Sequence, residues 1–215
     1  MRKRLCFCAT LAAALAAWMG SQAAAQNLLD NPGFEDPITS NGAPFDDNWE
    51  GFNGGAGAVS ANANLMPRTG AMHLNLSITN TNNTFAGAFQ DTNVLAGQSV
   101  TFGGWHKTVS SPLDLTAEFR IEWRNATAEV SRSVGTLPVP TSDYTQFSMT
   151  APAPAGAITA RVVYAIQTFG PQPTNTGTVY LDDMSVTAVP EPGSVALLGT
   201  GALGLLTAVR RRRSA

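Results

Sequence analysis

At 215 residues, with 13% charged and 44% hydrophobic side chains, the chain has room for one domain plus processing segments and not for a second full domain. Its only cysteines, Cys6 and Cys8, stand in the first ten residues, so a chain that loses this stretch has neither a disulfide scaffold nor a cysteine zinc site. Seven of the thirteen basic residues lie in terminal clusters, which leaves six basic and fourteen acidic residues in 26–190, a net charge of −8. Such a surface repels a nucleic-acid backbone and an anionic lipid layer, and both are excluded as partners of this region.

Residues 1–25 have the order of a secretory signal peptide. Arg2, Lys3 and Arg4 open it, an uncharged apolar run follows, and Ala23, Ala24 and Ala25 supply a small-residue site for signal peptidase before Gln26. Cys8 follows Cys6 and Phe7 rather than small residues, which argues against lipid attachment.

From residue 26 to 188 we expect one all-β domain, because short apolar or alternating runs are separated by Gly, Pro, Asn and Asp and no amphipathic helical stripe occurs. In chain order, strands are expected at 27–31, 71–76, 85–90, around Val100 and Phe102, at 114–124, 144–150, around Val162, Tyr164 and Ile166, and at 176–186. Loops are expected at 36–47, 51–57, 137–140 and 169–175, while the polar stretch 77–84 reads either as a loop or as an edge strand. The clearest strand is 114–124. There Leu115, Ala117, Phe119, Ile121 and Trp123 would face a core, and Glu118, Arg120, Glu122 and Arg124 would face water. Eight or more such strands without crossover helices predict a two-sheet sandwich.

The chain closes on Pro190-Glu191-Pro192, seventeen uncharged residues at 193–209, and four arginines at 210–213. As a transmembrane helix the apolar run would span roughly 26 Å, slightly short of a hydrocarbon core of about 30 Å. The arginines would hold its end in the cytoplasm and leave the proline-rich neck outside, extended and open to a protease. Over about residues 189–213 this tail resembles the PEP-CTERM sorting signal of Gram-negative bacteria. The resemblance implies transient anchoring in the inner membrane, cutting by an exosortase near Pro190, Glu191 and Pro192, and delivery to the cell surface or extracellular matrix. An ordinary tail anchor or a packed apolar helix is the alternative.

A second resemblance rests on NLLDNPGFED at 27–36, RTGAMHL at 68–74, VTFGGWHKT at 100–108 and GTVYLDDMSV at 177–186. Their order is similar to that of the galactose-binding-like jelly-roll β-sandwiches, which include several carbohydrate-binding modules. The resemblance implies one structural calcium ion held by Glu35, by a backbone oxygen near Gly70 and by Asp182, with Asp183 as a further companion. Oxygen donors of this irregular kind suit calcium. The alternative is that Glu35 caps a solvated bend and that one of the two aspartates is exposed.

Catalytic groups are sparse: His73 and His106 are the only histidines, and no zinc-protease, phosphate-loop or nucleophile-elbow motif occurs. We expect no enzyme. Glu118 and Glu122 share a strand face, but four residues of strand separate their backbones by roughly 13 Å, beyond the about 5–9.5 Å of glycosidase pairs. For binding, sugar C–H faces stack on aromatic rings while hydroxyls need carboxylates or guanidiniums. Trp123 falls on the core face. Trp49 and Trp105 are the candidates for exposed sugar platforms, with Glu118, Arg120 and Glu122 facing a groove around Trp105. The expected function is therefore an exported surface or matrix protein whose non-catalytic sandwich binds exopolysaccharide. The alternatives are a structural or adhesion protein without glycan affinity and a polysaccharide-active enzyme.

Overall fold

Alternation with a period of two governs nearly every strand, and it assembles them into two antiparallel five-stranded sheets. This computed structural model describes residues 26–45, 48–79, 83–109, 115–169 and 176–189. The expected signal peptide, the 190–192 motif, the transmembrane helix and the arginine cluster lie outside the described residues.

The strands are β1 (Glu50–Gly54), β2 (Ala58–Ala63), β3 (His73–Ile78), β4 (Phe85–Asn93), β5 (Ser99–Thr108), β6 (Thr116–Arg124), β7 (Glu129–Val134), β8 (Thr145–Pro152), β9 (Thr159–Gln167) and β10 (Gly177–Val189). The first sheet runs β1-β4-β9-β6-β7 and the second β2-β3-β10-β5-β8. Most pairings join strands distant in sequence, as in a jelly-roll sandwich. Between the sheets lie Leu76, Phe102, Phe119, Ile121, Trp123 and Phe147, all 2% exposed or less. Each contributes about 1.5–3 kcal/mol by leaving water.

The 114–124 expectation holds from Thr116 onward, with Phe119, Ile121 and Trp123 inside. Three expectations change. Residues 27–31 form no ladder strand, although the Leu28 amide donates to the Val186 carbonyl at 2.8 Å. Gly51 and Gly54 belong to β1 rather than to a loop. Ser77 and Ile78 complete β3, so the start of the 77–84 segment is strand. Strands β2 and β7 were not legible in the sequence, because both are short and at sheet edges, β2 built mostly of small residues and β7 mostly of polar ones.

One irregularity interrupts the last strand. The register of β10 against β5 shifts between Asp182 and Ser185, and Asp183 adopts a left-handed φ of 48°. This bulge lets two consecutive aspartates avoid the strict face alternation of a regular strand.

Candidate functional site

The outer face of the first sheet carries the densest group of surface aromatics. On β4, Ala86, Ala88 and Gln90 point into the core, so Phe85, Gly87, Phe89 and Asp91 point out. The register extends these into rows: Phe52–Gly87–Ala165–Glu118, Phe89–Val163–Arg120 and Asp91–Arg161–Glu122. Phe45 meets Phe89 edge-on at 4.9 Å between ring centres, Phe52 lies 6.2 Å from both Phe85 and Phe89, and Phe169 lies 5.9 Å from Phe85. Gly87 makes the close packing possible: a Cβ there would stand 2.3 Å from the Phe52 ring and 2.7 Å from the Tyr164 carbonyl oxygen.

Beside this aromatic strip stands a charged one. Arg161 binds Asp91 through two hydrogen bonds of 2.7 and 2.8 Å and lies 4.0 Å over the Phe89 ring. Arg120 pairs with Glu118 on one side and with Glu122 at 2.7 Å on the other. Between the strips the outward-pointing Val163 and Ala165 are nearly buried beneath their taller neighbours.

The 13 Å spacing assigned to Glu118 and Glu122 needs correction. That figure is a backbone distance, whereas both side chains lean onto the single guanidinium of Arg120. Their carboxylates therefore stand much nearer each other.

The expected groove around Trp105 does not form as predicted. Trp105 points out from the second sheet, opposite Asp182 and Gln146 in the register. Glu118, Arg120 and Glu122 point out from the first sheet, on the far side of the sandwich, and do not face it. The segment 64–72 folds over Trp105 and sets the Arg68 guanidinium 3.8 Å above its ring. Arg68 is ion-paired to Asp183, and Tyr144 donates to the Met66 carbonyl at 3.2 Å.

Trp49 is likewise not an exposed platform. It is 1% exposed, packs 5.0 Å from Phe34, and donates its indole N–H to the Asn31 carbonyl. Its acidic, glycine-flanked sequence context looks like a surface loop, but the 31–49 segment closes over the end of the core and takes the ring with it.

Glu35, Gly70 and Asp182 do come together. The Glu35 carboxylate accepts from the Ala71 amide at 3.1 Å, and a Cβ on Gly70 would stand 1.9 Å from its Oε1. Asp182 is fully buried; it accepts from the amides of Arg68 at 2.7 Å, Thr69 at 3.1 Å and Asp183 at 2.8 Å. Burial pushes its carboxyl above the ordinary range, against the opposing pull of these three bonds. One oxygen of each carboxylate lies within 4 Å of the position a Gly33 Cβ would occupy. Among the described residues neither carboxylate has an ion-pair partner, and no group of three or more His, Cys, Asp or Glu side chains stands where it could hold a metal ion. Asp183 turns away to Arg68 and the Thr69 hydroxyl.

His73 and His106 are fully buried strand residues. The aromatic strip is what sequence reasoning missed. Its signal is the spacing Phe85-Ala86-Gly87-Ala88-Phe89, with both large residues on one strand face and small residues on the other.

The profile of the PEP-CTERM protein-sorting motif matches residues 188–213. The chain thus carries that motif, which implies export, surface sorting and processing by exosortase. No curated protein sequence matches the chain. Among solved structures, the CBM22-1 xylan-binding domain of Paenibacillus barcinonensis Xyn10C superposes with a TM-score of 0.55 at 15% identity, covering 78% of this chain and 97% of that one. A CBM4 structure gives 0.53 at 16%, covering 75% and 99%. The enzymatically active domain of bacteriophage CBA120 tailspike protein 4 gives 0.55 at 14%, covering 76% of this chain but only 21% of the tailspike chain. At these identities the likeness establishes a carbohydrate-binding-module-like β-sandwich, and nothing about ligands.

Proposed function

We propose that this is an exported surface or matrix protein, held in the inner membrane until its tail is cut, whose sandwich binds polysaccharide without cleaving it on the outer face of the first sheet. The observation that carries this reading is the strip of Phe45, Phe52, Phe85, Phe89 and Phe169 running beside Glu118, Arg120 and Glu122. Aromatic faces accept the apolar C–H side of a sugar, and the adjacent carboxylates and guanidinium match its hydroxyls. The face is open and shallow, which suits a long polymer rather than a small molecule.

The test is a pull-down of the secreted protein on the producing cell's own exopolysaccharide. Phe52→Ala combined with Arg120→Ala is expected to weaken binding at least about tenfold, which corresponds to about 1.4 kcal/mol for a lost stacking contact and its polar partner. Trp105→Ala on the opposite sheet should leave binding unchanged. Equal binding by all three proteins would remove this face from the account, and no binding by the native protein would favour the structural matrix role.

The same reading gives the junction of Glu35, Asp182 and the backbone near Gly70 a structural calcium ion. A cation there would tie the 30–37 segment and the 64–72 segment to β10. Chelator is then expected to lower the melting temperature by roughly 5–10 °C, the effect of removing a ligand present at about 100 times its Kd. A melt that does not move with chelator or added calcium removes the ion.

A further inference from the structure

Both chain ends with membrane-directed sequence leave the sandwich at the same place. Strand β10 stays paired to its last residue, Val189 opposite Ser99, and the proline motif comes immediately after it. The first described residues lie alongside: the Leu28 amide donates to Val186, the Asn27 side chain to the Met184 carbonyl, and the Met184 amide to Pro32. These contacts run antiparallel to β10, so the described segment starts, at Gln26, toward the end at which β10 leaves.

The connections that surround this exit share two properties. Segments 93–99, 125–128, 151–159 and 187–189 contain no charged residue, in a region whose net charge is −8. They also present exposed apolar side chains: Leu95 is 70% exposed, Ile158 51%, Val189 46% and Leu28 38%. The nearest charges sit back from these tips: Arg124 is paired with Glu122 and Arg132 with Glu129 on the strands, and Asp30 is exposed in the segment beside β10, its amide on the Gln90 side chain.

The tips are held rather than loose. Leu95 and Gln98 close a turn through two hydrogen bonds of 2.7 and 3.0 Å, with Gly97 at a φ of +81°. Gly97 donates to Ala153, Ala153 to Gln98, Val94 to Ile158, and Ile158 to Arg124, so the loops are bonded to one another.

We infer that this end of the sandwich is a seat for the outer surface of the inner membrane, with Leu95 and Ile158 dipping into the headgroup layer while the tail is uncut. The inference rests on the reading of the tail as a membrane anchor. Four residues of chain join Val189 to Gly193, a reach of at most about 14 Å even fully extended. The headgroup layer on each side is itself about 5–8 Å thick, so a domain on so short a neck must place its exit end at or in that layer. Charges at the tips would be costly to desolvate, and carboxylates would be repelled by anionic lipids; segments 93–99, 125–128, 151–159 and 187–189 carry neither. The contact is transient by construction. Two exposed aliphatic side chains bind a bilayer weakly, and the domain departs once the tether is severed.

Single cysteines test the seat. Leu95→Cys, Ile158→Cys and Val139→Cys are placed separately in the chain that signal peptidase would leave, 26–215 at full length, which has no other cysteine, and labelled with a fluorophore. Val139 is 68% exposed but lies beyond the far end of β5, about 30 Å away. The chain is inserted into phosphatidylethanolamine vesicles containing a lipid with a nitroxide headgroup. The expected result is loss of most fluorescence at 95 and 158, none at 139, and full recovery at 95 and 158 in a chain ending at Val189. Equal signals at all three sites in a chain that still pellets with the vesicles overturn the seat and leave the anchor standing. A full-length chain that fails to pellet removes the anchor reading, and the seat with it. Quenching at 95 and 158 that requires exosortase in the vesicle assigns this end to the enzyme and overturns the lipid seat.

Discussion

Lowering the pH from 6.5 to 4 is expected to strip about 3 kcal/mol from the stability of the sandwich through His106 alone. His106 points between the sheets, where its Nδ1 lies 2.9 Å from the Tyr164 hydroxyl and its ring lies 5.1 Å from Phe147. Its Nε2 has no partner among the described residues. Burial disfavours the imidazolium and lowers the pKa to about 4. Burial also pushes the Tyr164 hydroxyl well up, so Tyr164 stays protonated and shares its hydrogen bond with a neutral His106. The unfolded chain takes up a proton at its ordinary pKa near 6.5, while the folded chain resists until about 4. Within that window the unfolded state binds more protons, so stability is full above 6.5 and falls as the pH falls.

His73 acts with the same sign. Burial first and the charge of Lys107 second lower its pKa, and neither ring nitrogen has a partner among the described residues. Urea melts at several pH values in the native protein and in His106→Gln separate the two contributions. The variant should lose most of the acid slope, because glutamine retains a hydrogen-bonding group for Tyr164 but carries no titrating one. Parallel pH profiles would mean that His106 is protonated within the fold and that the core admits the charge.

Asp182→Ala is expected to cost about 3 kcal/mol, or roughly 10 °C of melting temperature, and to expose Trp105. One carboxylate holds the amides of Arg68 and Thr69, and with them the segment that carries the Arg68 side chain across the Trp105 ring. Removing it leaves those amides and that of Asp183 without their acceptor at a fully buried position. Water reaches the loop side of the defect, which keeps the cost below that of a closed core cavity. Trp105 reports the local event in a chain without residues 1–25, which hold Trp18: Trp49 and Trp123 are each 1% exposed, so an increase in acrylamide quenching reads Trp105. Asp182→Asn, which keeps an acceptor oxygen, should fall between the native protein and the alanine variant. Unchanged quenching in Asp182→Ala would show that the segment is held by Asp183 and Arg68 instead.

These two effects come from positions that a linear reading ranks low. His106 and Asp182 lie in strands, at alternating positions without a motif of catalytic type. What makes them costly is enclosure by segments distant in sequence: Tyr164 is 58 residues from His106, and Arg68 is 114 from Asp182. The same holds for Glu118 and Glu122, where strand spacing alone puts two carboxylates apart and a shared guanidinium draws them together.

The amino-acid sequence by itself determined the features that need no partner segment. The 188–213 tail is recognised in linear order, because a sorting signal is met as an extended neck, an apolar run and a basic end. The all-β class and the inward face of Thr116–Arg124 come from local alternation, where one set of side chains is apolar and the other charged. The meeting of Glu35, Gly70 and Asp182 was legible through resemblance. Only the tertiary structure decided which face of a mixed strand is core. On β4 the small Ala86 and Ala88 face inward while Phe85 and Phe89 face out. On residue size alone the opposite orientation is the natural choice. The facing sheet settles it: large rings such as Phe102, Phe119 and Phe147 already fill the space between the layers, and close packing admits only small neighbours there. Trp49 moved from predicted surface to core for a similar reason, because a chain segment covers an open end only once the strands that create that end have been assembled.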